Sequence, residues 1–335
     1  MKRADFILGV LLLPCLELSR SNEERLVFEP SAGSVVSKQF TFDIEFSNTT
    51  VAIAGYEYGS VGYGAPIRLA TSVSLDDAYT KVGDGRPLDF IRRFNKLSGK
   101  WFLDGVPEDI LGFWRLSDCD VRFQWDPEER QYSRALERGT LLDLEFSKLV
   151  ADIDFRGFLP PEPVHRGSKW TAYGRPAMDG LFGCTEMGLL GASTDRDEGL
   201  LRDIVLRPFR ELGDEKLEIE CVYLGNQDPD SNRADISMHV DQKFEIDVVR
   251  PVNDFCLAAP MELGLEFEAF ELQFHVEGPG SLTWNFKEGH FEAFELALKV
   301  ELKCEIRLSW GGDPLPIHLE TRGTAKWNGS ALRKQ

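Results

Sequence analysis

Apolar residues occupy nearly every second position from Phe294 to Trp310, and the alternate positions from Lys299 to Arg307 are charged. Successive side chains of a β-strand point to opposite faces, so this pattern predicts a long strand with one buried face and one solvated face. Strands of this kind are typical of antiparallel sheets that pack one face against a core. The chain is therefore predicted to be a largely antiparallel β protein.

A short motif around a tryptophan occurs twice. Residues 282–285 (Leu-Thr-Trp-Asn) resemble residues 123–126 (Phe-Gln-Trp-Asp), and an aromatic residue follows each Trp by seven positions. The interval between Trp and the next aromatic residue is polar and turn-like in both copies. The motif predicts two related halves, as a diverged internal duplication would produce.

The length of 335 residues suits two domains, because single cores usually stop growing near 250 to 300 residues. The predicted fold class is α+β to mainly β: two modules of antiparallel sheet with one or two amphipathic helices. We place a signal peptide at residues 1–21, a β-rich module at 22–160 and a mainly antiparallel β module at 161–335. Pro160-Pro161 separates the modules.

Local patterns predict the remaining elements. The segment Gln39 to Phe46 alternates and ends at Ser47-Asn48, which predicts a strand and a turn, and residues 51–54 then open a second strand. Residues 55–64 predict a hairpin, and residues 75–101 carry conflicting helix and strand signals. Further strands are predicted at 217–224, 234–240, 244–249 and 263–276, and amphipathic helices at 137–152 and 195–212.

The N-terminus has the features of a signal peptide. Lys2 and Arg3 precede an apolar stretch from Phe6 to Leu16, and small residues precede Asn22 at the spacing of a cleavage site. Lipidation of Cys15 and an uncleaved N-terminal element are the alternatives. The apolar stretch is too short to cross a hydrocarbon core of about 30 Å as a helix. We therefore expect an exported protein, periplasmic or extracellular, with no membrane span.

The chain is acidic, with a formal net charge of −18. Nucleic-acid binding needs a concentrated basic surface, and the 38 Lys and Arg residues form no long run. A general affinity for nucleic acid is therefore excluded, and an anionic membrane surface is expected to repel the protein.

Cysteine usage leaves the redox compartment open. Beyond the leader the cysteines are widely and irregularly spaced, and their number is odd: Cys119, Cys184, Cys221, Cys256 and Cys304. A full disulfide framework is excluded, although one or two disulfides are possible. Cys221 and Cys304 take apolar positions in alternating runs and are predicted to be small buried side chains.

A family resemblance covers roughly residues 85–185. The chain has Asp152-Ile-Asp154, then Leu159-Pro160, then the pattern Val-x-x-Gly-x-x-Trp at residues 164–170. This order resembles an uncharacterised family of exported bacterial proteins, abundant in planctomycete-type genomes, in which Asp usually stands at the position of Ser168. The resemblance implies an exported, β-rich and often duplicated fold, and it implies no activity.

No residue is predicted to be catalytic, to bind a cofactor or to ligate a metal. Asp152 and Asp154 are spaced as an acid and base pair could be, or they cap or solvate the end of a helix. Residues 228–235 place oxygens at alternate positions, which suits either weak calcium binding or a polar hairpin loop. His239 and His275 alternate with apolar neighbours and should face solvent.

The leading functional hypothesis is a non-enzymatic exported protein that binds a protein or envelope partner. The second is a periplasmic carrier of a lipid or other hydrophobic ligand in a curved sheet, and the third is a carboxylate-based hydrolase. A large apolar-lined void would favour the carrier, two carboxylates that converge in a cleft would favour the hydrolase, and a filled core with no cleft would leave the interaction protein.

Overall fold

The computed structural model describes residues 23–58, 67–103, 106–109, 116–140, 149–183, 217–226, 231–250, 252–253, 265–310 and 313–334. The β-strands are β1 (Val35–Ile53), β2 (Tyr56–Tyr58), β3 (Ile67–Gly83), β4 (Arg86–Leu103), β5 (Val106–Asp109), β6 (Asp120–Asp126), β7 (Gln131–Arg138), β8 (Lys169–Tyr173), β9 (Glu218–Gly225), β10 (Arg233–Asp247), β11 (Leu265–Asn285), β12 (His290–Trp310) and β13 (Asp313–Arg333). A 3-10 helix covers Arg156–Phe158, and helix α1 covers Gly174–Phe182.

These strands form one antiparallel sheet in the order β7-β6-β4-β3-β1-β13-β12-β11-β10-β9-β8, with β2 on β1 and β5 on β4. The pairing of β1 with β13 brings both ends of the described chain to the middle of the sheet. The prediction of a mainly antiparallel β fold is confirmed. The single sheet does not show a duplication into two modules, and the division near Pro160 stays a prediction.

The sheet is strongly curved. β3 and β11 are four strand positions apart, which is about 19 Å in a flat sheet. Yet the Phe28 ring lies 5.6 Å from the Tyr79 ring of β3 and 6.5 Å from the Trp284 ring of β11. Side chains on one side of the sheet therefore converge. We call this side the inner face and the other side the outer face.

Strand β12 shows the predicted alternation. Phe294 and Leu296 are buried on the inner face, and Glu295 and Lys299 are exposed on the outer face. We call the end of the sheet near the turn at residues 286–289 the hairpin end. The open end is the opposite one, where β12 ends and β13 begins.

The two tryptophan motifs form equivalent hairpins. Trp125 pairs with Tyr132 across the turn of β6 and β7, and Trp284 pairs with Phe291 across the turn of β11 and β12. Both turns begin with a side chain that accepts hydrogen bonds from backbone N–H groups two and three residues later, Asp126 and Asn285. The repeated sequence therefore corresponds to two hairpin turns with the same aromatic pair and the same side-chain hydrogen bonds.

Several predicted boundaries are wrong. β1 runs through the turn expected at Ser47-Asn48, because a β-bulge between Phe46 and Asn48 lets it continue beside β13. The ambiguous residues 75–101 are strand, in β3 and β4. For the helix predicted at 137–152, residues 137–138 belong to β7, 149–152 are irregular and 141–148 lie outside the described residues. The helix predicted at 195–212 also lies outside them, and α1 was not predicted.

The connection from β7 to β8 packs onto the inner face at the hairpin end. We call its described part, Leu149 to Ser168, the crossover. The Phe155 ring stacks on Phe294 with 4.0 Å between centroids and meets Phe291 edge-on at 4.8 Å. The crossover therefore fills the curved sheet at this end.

Three of the cysteines lie in the described residues. Cys119, Cys221 and Cys304 are all buried there. The prediction that Cys221 and Cys304 are small buried side chains is confirmed. Cys184 and Cys256 fall outside the described part of the chain.

Candidate functional site

The inner face changes from fully buried to exposed along its length. On β3 the exposed fraction rises from 0% at Leu75 and 1% at Val73 to 8% at Leu69 and 39% at Ile67. The same trend occurs on β12, where Leu296 is buried and Ile306 and Leu308 are only half-buried. The crossover covers the hairpin half. In the open half Val248 and Val252, which follow β10, pack with Ile246, Leu272 and Cys304 in a second, smaller buried cluster, and the apolar residues around it are only partly buried.

Among the described residues, the inner positions from Val300 to Leu308 and their partners carry no charge, and Asp313 lies at the end of the same face, opposite Trp310. On β12 the inner residues of the open half are Val300, Leu302, Cys304, Ile306 and Leu308. Register places these residues of β11, β13 and β1 beside them: Phe267, Phe270, Leu272, Phe274, Val276, Leu315, Ile317, Leu319, Thr321, Phe46, Thr49, Val51 and Ile53. The neighbouring charged side chains of these strands take the outer positions. The open half is a continuous apolar surface.

This surface is large enough for a lipid chain. From Val300 to Leu308 the strand advances about 26 Å, and the six strands from β3 to β10 cover about 24 Å. A bilayer hydrocarbon core of about 30 Å holds two layers of chains, so one acyl chain reaches about 15 Å. Partly exposed apolar surfaces of this extent mark binding sites in many proteins.

A buried ion cluster lies on the inner face at the hairpin end. The Lys38 ammonium donates hydrogen bonds to Asp77 Oδ2 at 2.6 Å, to the Tyr79 hydroxyl at 2.7 Å and to Asp154 Oδ1. The Arg92 guanidinium also donates two hydrogen bonds to Asp77, from Nε to Oδ1 at 2.8 Å and from a terminal nitrogen to Oδ2 at 2.9 Å. Two cations and two carboxylates therefore balance each other away from solvent.

The ion cluster holds the crossover on the sheet. Asp154 belongs to the crossover, whereas Lys38, Asp77 and Arg92 belong to β1, β3 and β4. Arg92 also donates to the carbonyl oxygens of Val150 and Ala151, at 2.8 and 2.9 Å. These contacts orient the crossover, and they leave no side chain of the cluster facing solvent.

The environment of the cluster favours fixed protonation states. Burial opposes ionisation of Asp77, but Arg92 and Lys38 outweigh it and lower the pKa of the carboxyl group. Burial, with Asp154 and Asp77 nearby, raises the Tyr79 pKa well above its ordinary value. Tyr79 therefore stays a neutral hydroxyl and donates to Asp154 Oδ1 at 3.2 Å.

His290 lies beside this cluster and is 3% exposed. Its Nδ1 is 2.6 Å from the carbonyl oxygen of Phe291. Burial lowers the pKa of the imidazole, and Lys38 lowers it further, against the opposing effects of the Phe291 carbonyl, Asp154 and Glu288. His290 is therefore held neutral inside the fold.

The structure separates the two aspartates considered as an acid and base pair. Asp154 binds Lys38 in the ion cluster, and Asp152 pairs with Arg156. Within the described part of the chain neither caps a helix, and each carboxylate is paired with a different cation. His239 is exposed, and His275 is half-buried and paired with Asp241 at 3.0 Å. Residues 227–230 of the candidate calcium loop lie outside the described residues.

The residues of the family pattern anchor the crossover at several points. Trp170 Nε1 donates to the carbonyl oxygen of Phe158 at 3.0 Å, and Val164 forms a β-bridge with Glu24. Gly167 has a φ of +90°, a conformation that favours glycine. The pattern therefore has a structural role in this chain, and membership of the family stays a prediction.

No family model matches the chain, and no curated protein matches it. The structure is similar to the outer-membrane protein OprG of Pseudomonas aeruginosa, at 5% identity, a TM-score of 0.24 and coverage of 91% of this chain and 99% of that chain. It is similar to an outer-membrane channel of Pseudomonas putida F1, at 6% identity, a TM-score of 0.20 and coverage of 91% and 98%. For the Yersinia pestis protein Ail, identity is 5%, the TM-score 0.09 and coverage 88% and 98%.

The expectation of no membrane span needs correction. It was argued from the length of an apolar helix, whereas two of the similar structures are outer-membrane proteins, a class that crosses its membrane with strands. Among the described residues, no helix is long and apolar enough to cross a bilayer. An envelope or exported location agrees with the comparison, but TM-scores this low carry no argument about function.

Proposed function

We propose that this is a non-enzymatic exported protein that binds a hydrophobic ligand with a hydrocarbon chain on the open half of its inner face. The observation that carries this proposal is the partial exposure of the apolar side chains that surround the small buried cluster of the open half. A structural core would be covered along its whole length, whereas a binding face must be accessible. The ion cluster and crossover give the face a closed, rigid hairpin end.

Native mass spectrometry of the mature protein from its own host tests the proposal. We expect an additional mass of a few hundred daltons, which organic extraction removes. A protein that is isolated without ligand, and that binds no fluorescent fatty acid after extraction, would refute the proposal.

Matched variants of one strand locate the site. Leu302→Gln and Ile306→Gln change the inner face of β12, whereas Lys303→Gln and Arg307→Gln change its exposed outer face. We expect the inner pair to weaken fatty-acid binding at least about tenfold, because a buried amide loses hydration. The outer pair should bind as the wild type does. Circular dichroism checks that all four variants are folded.

Binding of a protein partner is a second candidate, favoured by the edges of the sheet. Within the described residues, β7 and β8 each pair with only one neighbouring strand. Such edges can accept a strand from another protein. A pull-down with the mature protein tests this candidate: a stoichiometric partner that is lost with Thr171→Pro in β8 would support it, and recovery of no partner would exclude it.

A further inference from the structure

Four apolar side chains are exposed at the open end of the sheet. They are Tyr56 and Tyr58 of β2, Ile67 of β3 and Val106 of β5, which are 72%, 54%, 39% and 60% exposed. We call these four residues the rim. Exposed apolar side chains of this size suggest contact with something other than water.

The tyrosines of the rim belong to the inner face. Tyr58 is directly opposite Val51 in β1, and Tyr56 is opposite Ile53. On their other side, Val51 and Ile53 pair with Leu319 and Ile317 of β13, which belong to the inner face. Directly opposed residues share a face of the sheet, so both tyrosines extend the apolar surface.

The other two rim residues lie on the same face. Ile67 is opposite the inner-face residue Phe46. In β4, the ring of Phe102 lies 5.2 Å from the Arg68 guanidinium on the outer face, and Phe102 is opposite Pro107. Val106, the neighbour of Pro107, therefore points to the inner side. The rim is thus the exposed margin of the proposed binding face.

The chemistry of the rim fits the surface of a bilayer. Tyrosine has an apolar ring and a polar hydroxyl, and it is enriched where hydrocarbon meets lipid headgroups. The rim itself is uncharged, and a protein of net charge −18 is repelled by anionic lipid. The complementary surface is therefore a zwitterionic one.

We propose that the rim docks on a zwitterionic lipid bilayer, so that a hydrocarbon chain passes between the bilayer and the inner face without crossing water. This inference rests on the proposed function, because the rim is an exposed apolar margin of the face that the described residues define. It adds the partner from which the ligand is taken or to which it is delivered.

Flotation with phosphatidylcholine vesicles tests the docking. The variant is the double substitution Tyr56→Ser and Tyr58→Ser, and the control is Tyr173→Ser, a tyrosine of β8 that is also 72% exposed. We expect wild type and control to float with the vesicles and the double variant to lose about tenfold in vesicle affinity, because binding scales with the apolar area inserted. Vesicles rich in anionic lipid should bind less of every protein.

The outcomes separate docking from ligand binding. Binding of a monomeric fluorescent fatty acid by the wild type in solution is measured separately, because that measurement involves no vesicle. Failure of the wild type to float, or equal loss in the Tyr173→Ser control, would overturn the docking inference. A change in oligomeric state of the double variant, measured by light scattering, would identify a second copy as the occupant and also overturn it. Failure to bind monomeric fatty acid would instead refute the proposed function.

Discussion

At the scale of single residues, the most unusual feature is a set of charged residues at strand positions whose side chains point into the core. Lys38, Asp77 and Arg92 each stand between apolar residues that face inward, where charge is costly. The cluster is tolerated because its hydrogen bonds and opposite charges compensate desolvation. Removing one ion leaves its partners buried and uncompensated.

Lys38→Met should therefore destabilise the protein by about 3 to 5 kcal/mol, the usual effect of breaking a buried ion pair. Urea unfolding followed by circular dichroism measures this change. Lys299→Met, at an exposed position on the outer face of β12, is the control and should change stability by less than about 0.5 kcal/mol. Equal effects of the two substitutions would show that the cluster does not stabilise the fold.

His290 should make stability depend on pH. Its pKa in the folded protein is below the ordinary value of 6.5, so as the pH falls below about 6.5 the unfolded chain binds a proton that the folded chain does not. Stability should then fall by up to about 1.4 kcal/mol per pH unit. The paired carboxylates Asp77, Asp89 and Asp120 contribute a separate loss only at lower pH, because their folded pKa values are below 3.8.

Urea unfolding between pH 5 and 7 measures the contribution of His290. His290→Gln should remove most of the slope in this range, whereas His239→Gln, at an exposed position, should leave it unchanged. A slope that survives in His290→Gln would assign the pH dependence to another group.

The sequence contains a signal for the ion cluster, although no prediction used it. In an alternating run, a charged residue at a position that would otherwise be apolar indicates a buried ion that must have a partner. Lys38, between Val36 and Phe40, is such a residue. The partners themselves could not be predicted. Asp77 and Asp154 are 39 and 116 residues away in the chain, and only the packing of the crossover brings Asp154 to the sheet.

At the scale of elements, the crossover determines where the core is filled. Phe155 has a φ of +53°, which is uncommon for a bulky residue, and this conformation directs its ring between Phe291 and Phe294. Gly157 follows, and a Cβ atom there would lie 2.4 Å from the carbonyl carbon of Pro176. The crossover and the start of α1 are therefore in direct backbone contact.

Phe155→Ala should destabilise the protein by about 3 to 5 kcal/mol, since it removes a buried aromatic ring and leaves a cavity between the crossover and β12. Thermal and urea unfolding measure the loss. Phe286→Ala, in the turn between β11 and β12 where the ring is 41% exposed, is the matched control and should cost far less. A small effect of Phe155→Ala would mean that the crossover does not complete the core.

Strands were more predictable than helices for a physical reason. Alternation from Phe294 to Trp310 is a local consequence of strand geometry and was confirmed as β12. The continuation of β1 past Ser47-Asn48 depends on pairing with β13, which lies almost 300 residues away and overrides the local turn signal. Helix α1 is short and carries Gly174, Pro176 and Gly180, which are poor helix formers, so local propensity did not indicate a helix.

At the scale of the whole molecule, one sheet contains both a packed core and an accessible face. Leu296 and Ile306 take equivalent positions in the alternation of β12, yet the first is buried under the crossover and the second is half-buried. Alternation records only which face a side chain takes. The sequence therefore predicted an apolar face and left open whether that face was filled.

Cys304 offers a direct measure of occupancy, because it lies in the open half of the inner face, opposite Leu272 and Leu319. Burial raises its pKa to about 11, so a thiol reagent should label it slowly at mildly alkaline pH. A saturating hydrocarbon ligand should slow this labelling about tenfold when its free concentration is about ten times Kd.

Cys221, on β9 with a pKa raised to about 12, is the internal control, and its labelling rate should not respond to ligand. Peptide mass spectrometry resolves the two sites. Equal Cys304 rates with and without bound ligand would place the ligand elsewhere on the protein, whereas selective protection would assign it to the open half of the inner face.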